Sequence, residues 1–240
     1  MNYEYKPYDE LPGKFSQNDG TLDFYCRVGS LISPEMTVLD LGAGRGAWFE
    51  DGDINVIRNM RLLKGKVKEV IACDVDKIVL ENKSADTCLI MVDNKIPCKD
   101  NSIDLIISDF VIEHIEDTKG YFYEIDRVLK TNGYFCARTP HKFHYISCAA
   151  RIVRNSQHSR FLHWVQPGRK EEDIFPTAYK MNTLKDISEI FSKYHNNTFI
   201  YKSDPAYFFG NRIIFILFNF LHAISPSFFY GSLFVFLRKK

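Results

Sequence analysis

The sequence predicts a doubly wound α/β domain with a mainly parallel sheet, and three observations carry that expectation. Short apolar runs alternate with stretches long enough for crossover helices. A glycine-rich turn, LGAGRGAW, follows the first run directly, and the second run, EVIACD, ends in a carboxylate. Strands alternating with helices lie parallel and are covered on both faces, and ligands of such sheets collect beyond the carboxyl ends of the strands.

The N-terminal residues read as a loop leading into a helix over Thr21 to Leu31, whose Leu22, Phe24, Tyr25, Val28 and Leu31 suit packing on a sheet edge. Strands are expected at Thr37 to Leu41, Glu69 to Cys73, Cys88 to Val92, Ile103 to Ser108 and Tyr134 to Arg138. The clearest helix runs from Thr118 to Lys130, with Tyr121, Phe122, Ile125, Val128 and Leu129 on one face and Asn132-Gly133 as its stop. After Arg138 the alternation breaks. Residues 141–182 read as an inserted lid that contacts the acceptor within a single domain of residues 1–240. A helix at Thr183 to Tyr194, a strand at Thr198 to Tyr201 and an apolar helix at Tyr207 to Ile224 follow.

With 45% hydrophobic and 25% charged residues and a formal net charge of +1, the chain has globular composition and no global pull toward nucleic acid or membrane. Its six cysteines include no C-x-x-C pair, which fits a reducing cytoplasm, and the N-terminus has no apolar run behind a basic start. No metal is expected: the H-x-x-H of His141 and His144 has no acidic or cysteine ligand nearby.

Gly42, Gly44 and Gly46 sit where backbone must turn tightly and bring its N–H groups to an anionic ligand, with Asp40 two residues before them. Asp74, ending the second strand, is placed to accept the hydroxyl hydrogens of a ribose, whereas Asp76 reads as a helix cap and Asp104 as a solvated strand position. The G-x-G-x-G spacing differs from the G-x-G-x-x-G of nicotinamide and flavin binders and favours S-adenosylmethionine (SAM).

Together with VDNKIPCKDNSIDLIISDFVIEHIED and YEIDRVLKTNGYFCARTP, these motifs give an ordered series over roughly Val38 to Pro140. In that series the chain resembles the class I SAM-dependent methyltransferases, a Rossmann-like group. The resemblance implies that Gly42, Gly44 and neighbouring backbone hold the methionine end of SAM and that Asp74 holds the ribose, with Ala43, Gly46 and Val75 also in the cofactor site and Asp40 either there or only satisfying N–H groups of the loop. It also implies that Asp93 and Asn94 lie against the adenine, that Ser108 lies under the reacting end, and that SLFVFLRKK forms a final antiparallel strand.

Methyl transfer to a hydroxyl calls for a base, and the histidines near the strand ends are the candidates: His141 ahead of His144 and His114, with Asp109 or Tyr145 next. From Arg127 to Lys170 there are nine lysines and arginines, four histidines and no acid, which points to an anionic acceptor met by residues such as Arg151 and Arg154. FPTAYKMNT and the aromatic tail resemble methyltransferases of bacterial surface-polysaccharide assembly, implying O-methylation of a small or lipid-linked anionic sugar. A quinone or isoprenoid-lipid methyltransferase and a non-catalytic SAM-binding subunit are the alternatives. No nucleic-acid partner is expected. The apolar C-terminal helix is expected to meet core, partner, substrate or membrane surface, so the location is cytoplasmic with membrane association open.

Overall fold

The computed structural model describes residues 5–50, 55–145, 147–148, 176–205, 208–229 and 231–240. Five strands, β1 (Thr37–Leu41), β2 (Glu69–Asp74), β3 (Thr87–Ile90), β4 (Ile103–Asp109) and β5 (Leu129–Pro140), run parallel. Two short strands, β6 (His195–Asn196) and β7 (Phe199–Lys202), precede β8 (Gly231–Arg238), which is antiparallel to β5. The order across the sheet is β3-β2-β1-β4-β5-β8-β6, with β7 also paired to β8. The expected antiparallel last strand is therefore present, inserted beside β5.

Helices cover both faces. On one side α1 (Gly20–Gly29) buries Phe24, Tyr25 and Val28 against Val38, Ala72, Leu105, Ile107 and Phe234. The short α2 (Ala47–Glu50) and α3 (Asn55–Arg61) follow the glycine turn. On the other side α4 (Thr118–Val128) and α5 (Leu184–Ile190) close over Leu39, Leu41, Ile106, Phe135 and Val235. Alternation along each buried strand thus feeds two separate cores. The last helix, α6 (Arg212–Ile224), is capped by Asn211, whose side chain accepts from the N–H groups of Ile213 and Ile214.

Most boundaries differ from expectation by one or two residues, β5 begins five residues early at Leu129, and α5 ends at Ile190, four residues before the expected Tyr194. Helix α4 stops at Val128 because Leu129 already pairs with Ile103, and Asn132, with φ of 66°, makes a left-handed step inside β5 rather than a helix stop. Helix α6 begins at Arg212, five residues later than the apolar composition indicates. Of the expected insertion, residues 141–145, 147–148 and 176–182 are described; Arg151 and Arg154 lie outside the described residues.

Candidate active site

The turn after β1 is held from behind. The N–H of Gly42 donates to the Cys73 carbonyl at 2.7 Å, and Asn82 donates through Nδ2 to the Gly44 carbonyl at 3.1 Å. All three glycines have positive φ (80°, 52° and 69°). A Cβ on Gly42 would stand 2.3 Å from Val111 Cγ2, and one on Gly46 2.5 Å from Asn82 Oδ1, so these two glycines are required by the protein's own packing. At Gly44 a Cβ would meet nothing within 4 Å. Its backbone faces open space beside Asp74, whose Oδ2 accepts the Gly44 N–H at 2.8 Å and whose Oδ1 accepts the Asp76 N–H at 3.0 Å. Each carboxylate oxygen keeps further acceptor capacity. An open cradle beside an oriented carboxylate fits the ribose and methionine portions of SAM.

Farther along the strand ends, Val75 and Val92 are 56% and 65% exposed, apolar surfaces of the kind that a flat base covers. Asp93 and Asn94 have φ of 53° and 57° in the turn closed by the bridge between Val92 and Lys95. Asp76 caps the following 3-10 turn by accepting the Ile78 N–H, and Asp104 joins the Thr37 N–H to Lys130.

A buried ionic cluster lies where β1, β4 and β5 end. Arg138 donates through Nε to Asp109 Oδ1 at 2.8 Å and through Nη2 to Oδ2 at 2.9 Å, a bidentate pair. The Tyr25 hydroxyl donates to Asp109 Oδ2 at 3.2 Å, and Arg61 stands 3.7 Å from the same oxygen. Burial alone would raise the Asp109 carboxyl, but Arg138, Arg61 and Tyr25 outweigh it and hold the group below the ordinary carboxylate range. Among the described residues Asp40 has no such donor. Burial pushes it up to about 7, Arg61 opposes the rise, and Asp109 and Asp74 add to it. The Arg138 guanidinium also lies over the Phe110 ring at 4.7 Å and donates to Thr21 Oγ1 at 2.9 Å.

Beyond this cluster opens a cavity of about 310 Å³ between the start of α1, the end of β5 and the turn after β7. Rings (Phe110, Tyr145, Tyr201) and polar groups (Thr21, Arg138, Asp204) face it. His144 lines it, stacked on Tyr145 with ring centroids 4.4 Å apart. His141 lies elsewhere. It is buried, its Nδ1 accepts the Phe143 N–H at 3.2 Å, and it lines a separate open groove of about 450 Å³ with Phe143, Leu184, Lys185 and Phe228. Burial lowers its pKa, and its hydrogen bond to the Phe228 backbone only partly offsets that. His114 Nδ1 is 2.8 Å from the Pro176 carbonyl, where the chain rejoins the end of β4. Ser108 is fully buried on the α4 side, its Oγ 2.9 Å from the Tyr121 hydroxyl, so Asp109 and Phe110 are the residues that β4 presents at the open end. Among the described residues no group of three His, Cys, Asp or Glu is placed to hold a metal.

Sequence reasoning did not single out Arg138, Arg61, Tyr25 or Thr21. One signal was available. Arg138 interrupts the apolar strand YFCARTP, and a charge inside a core strand must have a buried partner.

The fold is that of the class I SAM-dependent methyltransferases, and the glycine cradle and the carboxylate that closes it suit that cofactor. A protein-family model described as "Methyltransferase domain" matches residues 39–137, from within β1 to within β5. No curated protein matches the sequence. Among solved structures the chain is similar to a SAM-dependent methyltransferase from Aquifex aeolicus, at 16% identity over 93% of this chain and 95% of that one, with a TM-score of 0.51. It is also similar to a structure from Haloferax volcanii, a complex of a methyltransferase with a methyltransferase activator, at 15% identity over 92% of each chain and a TM-score of 0.54. A third is geranyl diphosphate methyltransferase in complex with SAM, at 9% identity over 92% of this chain and 84% of that one, with a TM-score of 0.52. At these identities the likeness is one of fold.

Proposed function

We propose that the protein O-methylates a hydroxyl of a small anionic acceptor, a sugar carried on a phosphate being the class that fits best. The observation that carries this reading is the 310 Å³ cavity at the open ends of β4 and β5, where rings able to cover a sugar face alternate with side chains able to bond its hydroxyls. Bound SAM supplies a methyl carbon already activated by a positively charged sulfur, so position matters more than further activation. Asp74 and the Gly44 backbone orient the nucleoside side, and the Asp109–Arg138 pair forms the rigid wall between that side and the cavity. Asp109 is a poor base here, because both its oxygens are already held by donors. With SAM bound, His144 would take the hydroxyl proton while the acceptor oxygen gains the methyl group and the methyl–sulfur bond breaks, its electron pair returning to sulfur as a neutral thioether. The basic stretch containing Arg151 and Arg154 meets the acceptor's phosphate.

The open groove beside His141, lined by Phe143, Leu184 and Phe228, supports a second reading, an isoprenoid-lipid acceptor. The similar structure whose name is geranyl diphosphate methyltransferase points the same way.

Incubation with methyl-labelled SAM and panels of nucleotide sugars, lipid-linked sugars and isoprenoid diphosphates tests both. Label on a sugar hydroxyl supports the first reading, and label only on the isoprenoid overturns it. On the first reading, His144→Gln lowers kcat by about 10² to 10⁴ with SAM binding retained, and Arg151→Ala with Arg154→Ala raises the acceptor KM in a salt-sensitive manner. A His144→Gln enzyme within a few-fold of wild type would remove the base from this residue.

A further inference from the structure

The helix α6 is apolar on two opposite faces. Phe215, Phe218 and His222 turn inward: Phe215 packs on Tyr5 and Tyr8, Phe218 stacks on Tyr145 at 5.4 Å, and His222 Nδ1 is 3.2 Å from the Ser203 carbonyl. Ile213, Ile216, Leu217, Phe220 and Ile224 recur at helical spacing on the outer face and are between 53% and 77% exposed. Exposed Phe209 precedes the helix, exposed Phe228 and Phe229 follow it, and exposed Phe143 approaches Phe228 with centroids 6.4 Å apart. Contiguous apolar surface on this scale marks an interaction site.

We propose that this face rests on an anionic lipid bilayer. The stripe carries no polar side chain that would fix register against a protein partner. The one charge on the helix is the exposed Arg212, and exposed Lys6 stands between the two tyrosines packed beside it. From Pro205 to Lys240 there is no aspartate or glutamate; the acids on the adjoining segments are Asp204, just before that stretch, and Glu4, Asp9 and Glu10, on either side of the two tyrosines. An apolar face with cations at its border is the arrangement of an interfacial helix. No helix of the described residues is long and apolar enough to cross a membrane, so α6 lies along the surface. Tyr145, stacked under Phe218, is also a wall of the cavity, so the bilayer plane and the mouth of the acceptor site adjoin. The inference stands apart from the acceptor's identity.

Flotation of the purified full chain with vesicles tests it, using phosphatidylcholine alone and phosphatidylcholine mixed with phosphatidylglycerol. The expected result is binding to the mixed vesicles that weakens with salt and falls about ten-fold or more in Ile216→Ser with Phe220→Ser. Both positions are exposed, so SAM binding by calorimetry and the melting temperature should match wild type. Failure of the wild type to float, or equal flotation of the double variant, overturns the proposal. So does a wild-type dimer in sedimentation equilibrium that the double variant loses, since the face would then belong to a second copy. Methylation of a water-soluble acceptor without vesicles reads the function separately.

Discussion

Arg138 and Asp109 confront each other with side chains 7% and 8% exposed, and each satisfies a charge that water no longer reaches. Arg138→Ala should therefore cost about 3 to 5 kcal/mol in chemical denaturation, because it leaves Asp109 buried and uncompensated. Asp40 behaves in the opposite sense. Its folded pKa, about 7, lies above the unfolded carboxylate value, so the folded state binds the extra proton and stability declines as pH rises from about 4 to about 7. Asp40→Asn removes that decline: the variant should gain about 1 to 2 kcal/mol over wild type at pH 8 and almost nothing at pH 4, read from melting curves at both. Asp74 is the residue whose proposed role rests on the plainest sequence signal, a carboxylate that ends the second strand beside the glycine turn. Asp74→Ala should weaken SAM binding by about 1 to 3 kcal/mol in calorimetry, and unchanged affinity in a folded variant would move the ribose contact elsewhere. Other residues were opaque because partnership across 29 positions, as between Asp109 and Arg138, leaves no local pattern. For the same reason sequence order cannot rank His141 and His144, three positions apart, which the turn after β5 sends to different cavities.

Elements were more legible than their ends. Strands β1, β2, β4 and the Tyr134–Arg138 part of β5 show as apolar runs because residues on both of their faces are buried, a signal that local composition carries alone, whereas the edge strand β3 is only half-buried. The end of α4 does not show, because pairing of Leu129 with Ile103 overrides a helical pattern that continues to Lys130. The glycine turn was legible as a unit, yet its three glycines do different work, and substitution should separate them. Gly42→Ala meets Val111 at 2.3 Å with φ of 80°, and should lower stability by about 2 to 4 kcal/mol in urea titration. Gly44→Ala meets nothing and should cost only about 1 kcal/mol of stability for its left-handed backbone, while SAM affinity falls sharply. If Gly44→Ala binds SAM as wild type does, the ligand does not lie against that backbone.

For the molecule as a whole, β8 is the strand on which the sheet depends most, since it pairs with β5 on one side and with β6 and β7 on the other. It buries Leu233, Phe234, Val235 and Leu237 and so joins both cores. Deletion of residues 231–240 should yield aggregated protein in size-exclusion chromatography, because it opens the edge of β5 together with apolar surface on both sides of the sheet.

That placement also sets an order in time. During synthesis the first five strands can emerge and pair in sequence, each against a neighbour already made or soon to follow. The seam at β5 cannot close until residues 231–238 have left the ribosome, after the whole stretch from His141 onward has been translated. Through that interval the nascent chain carries an unpaired inner edge, and its dependence on chaperones should track the speed at which that stretch is translated rather than the stability of the finished fold.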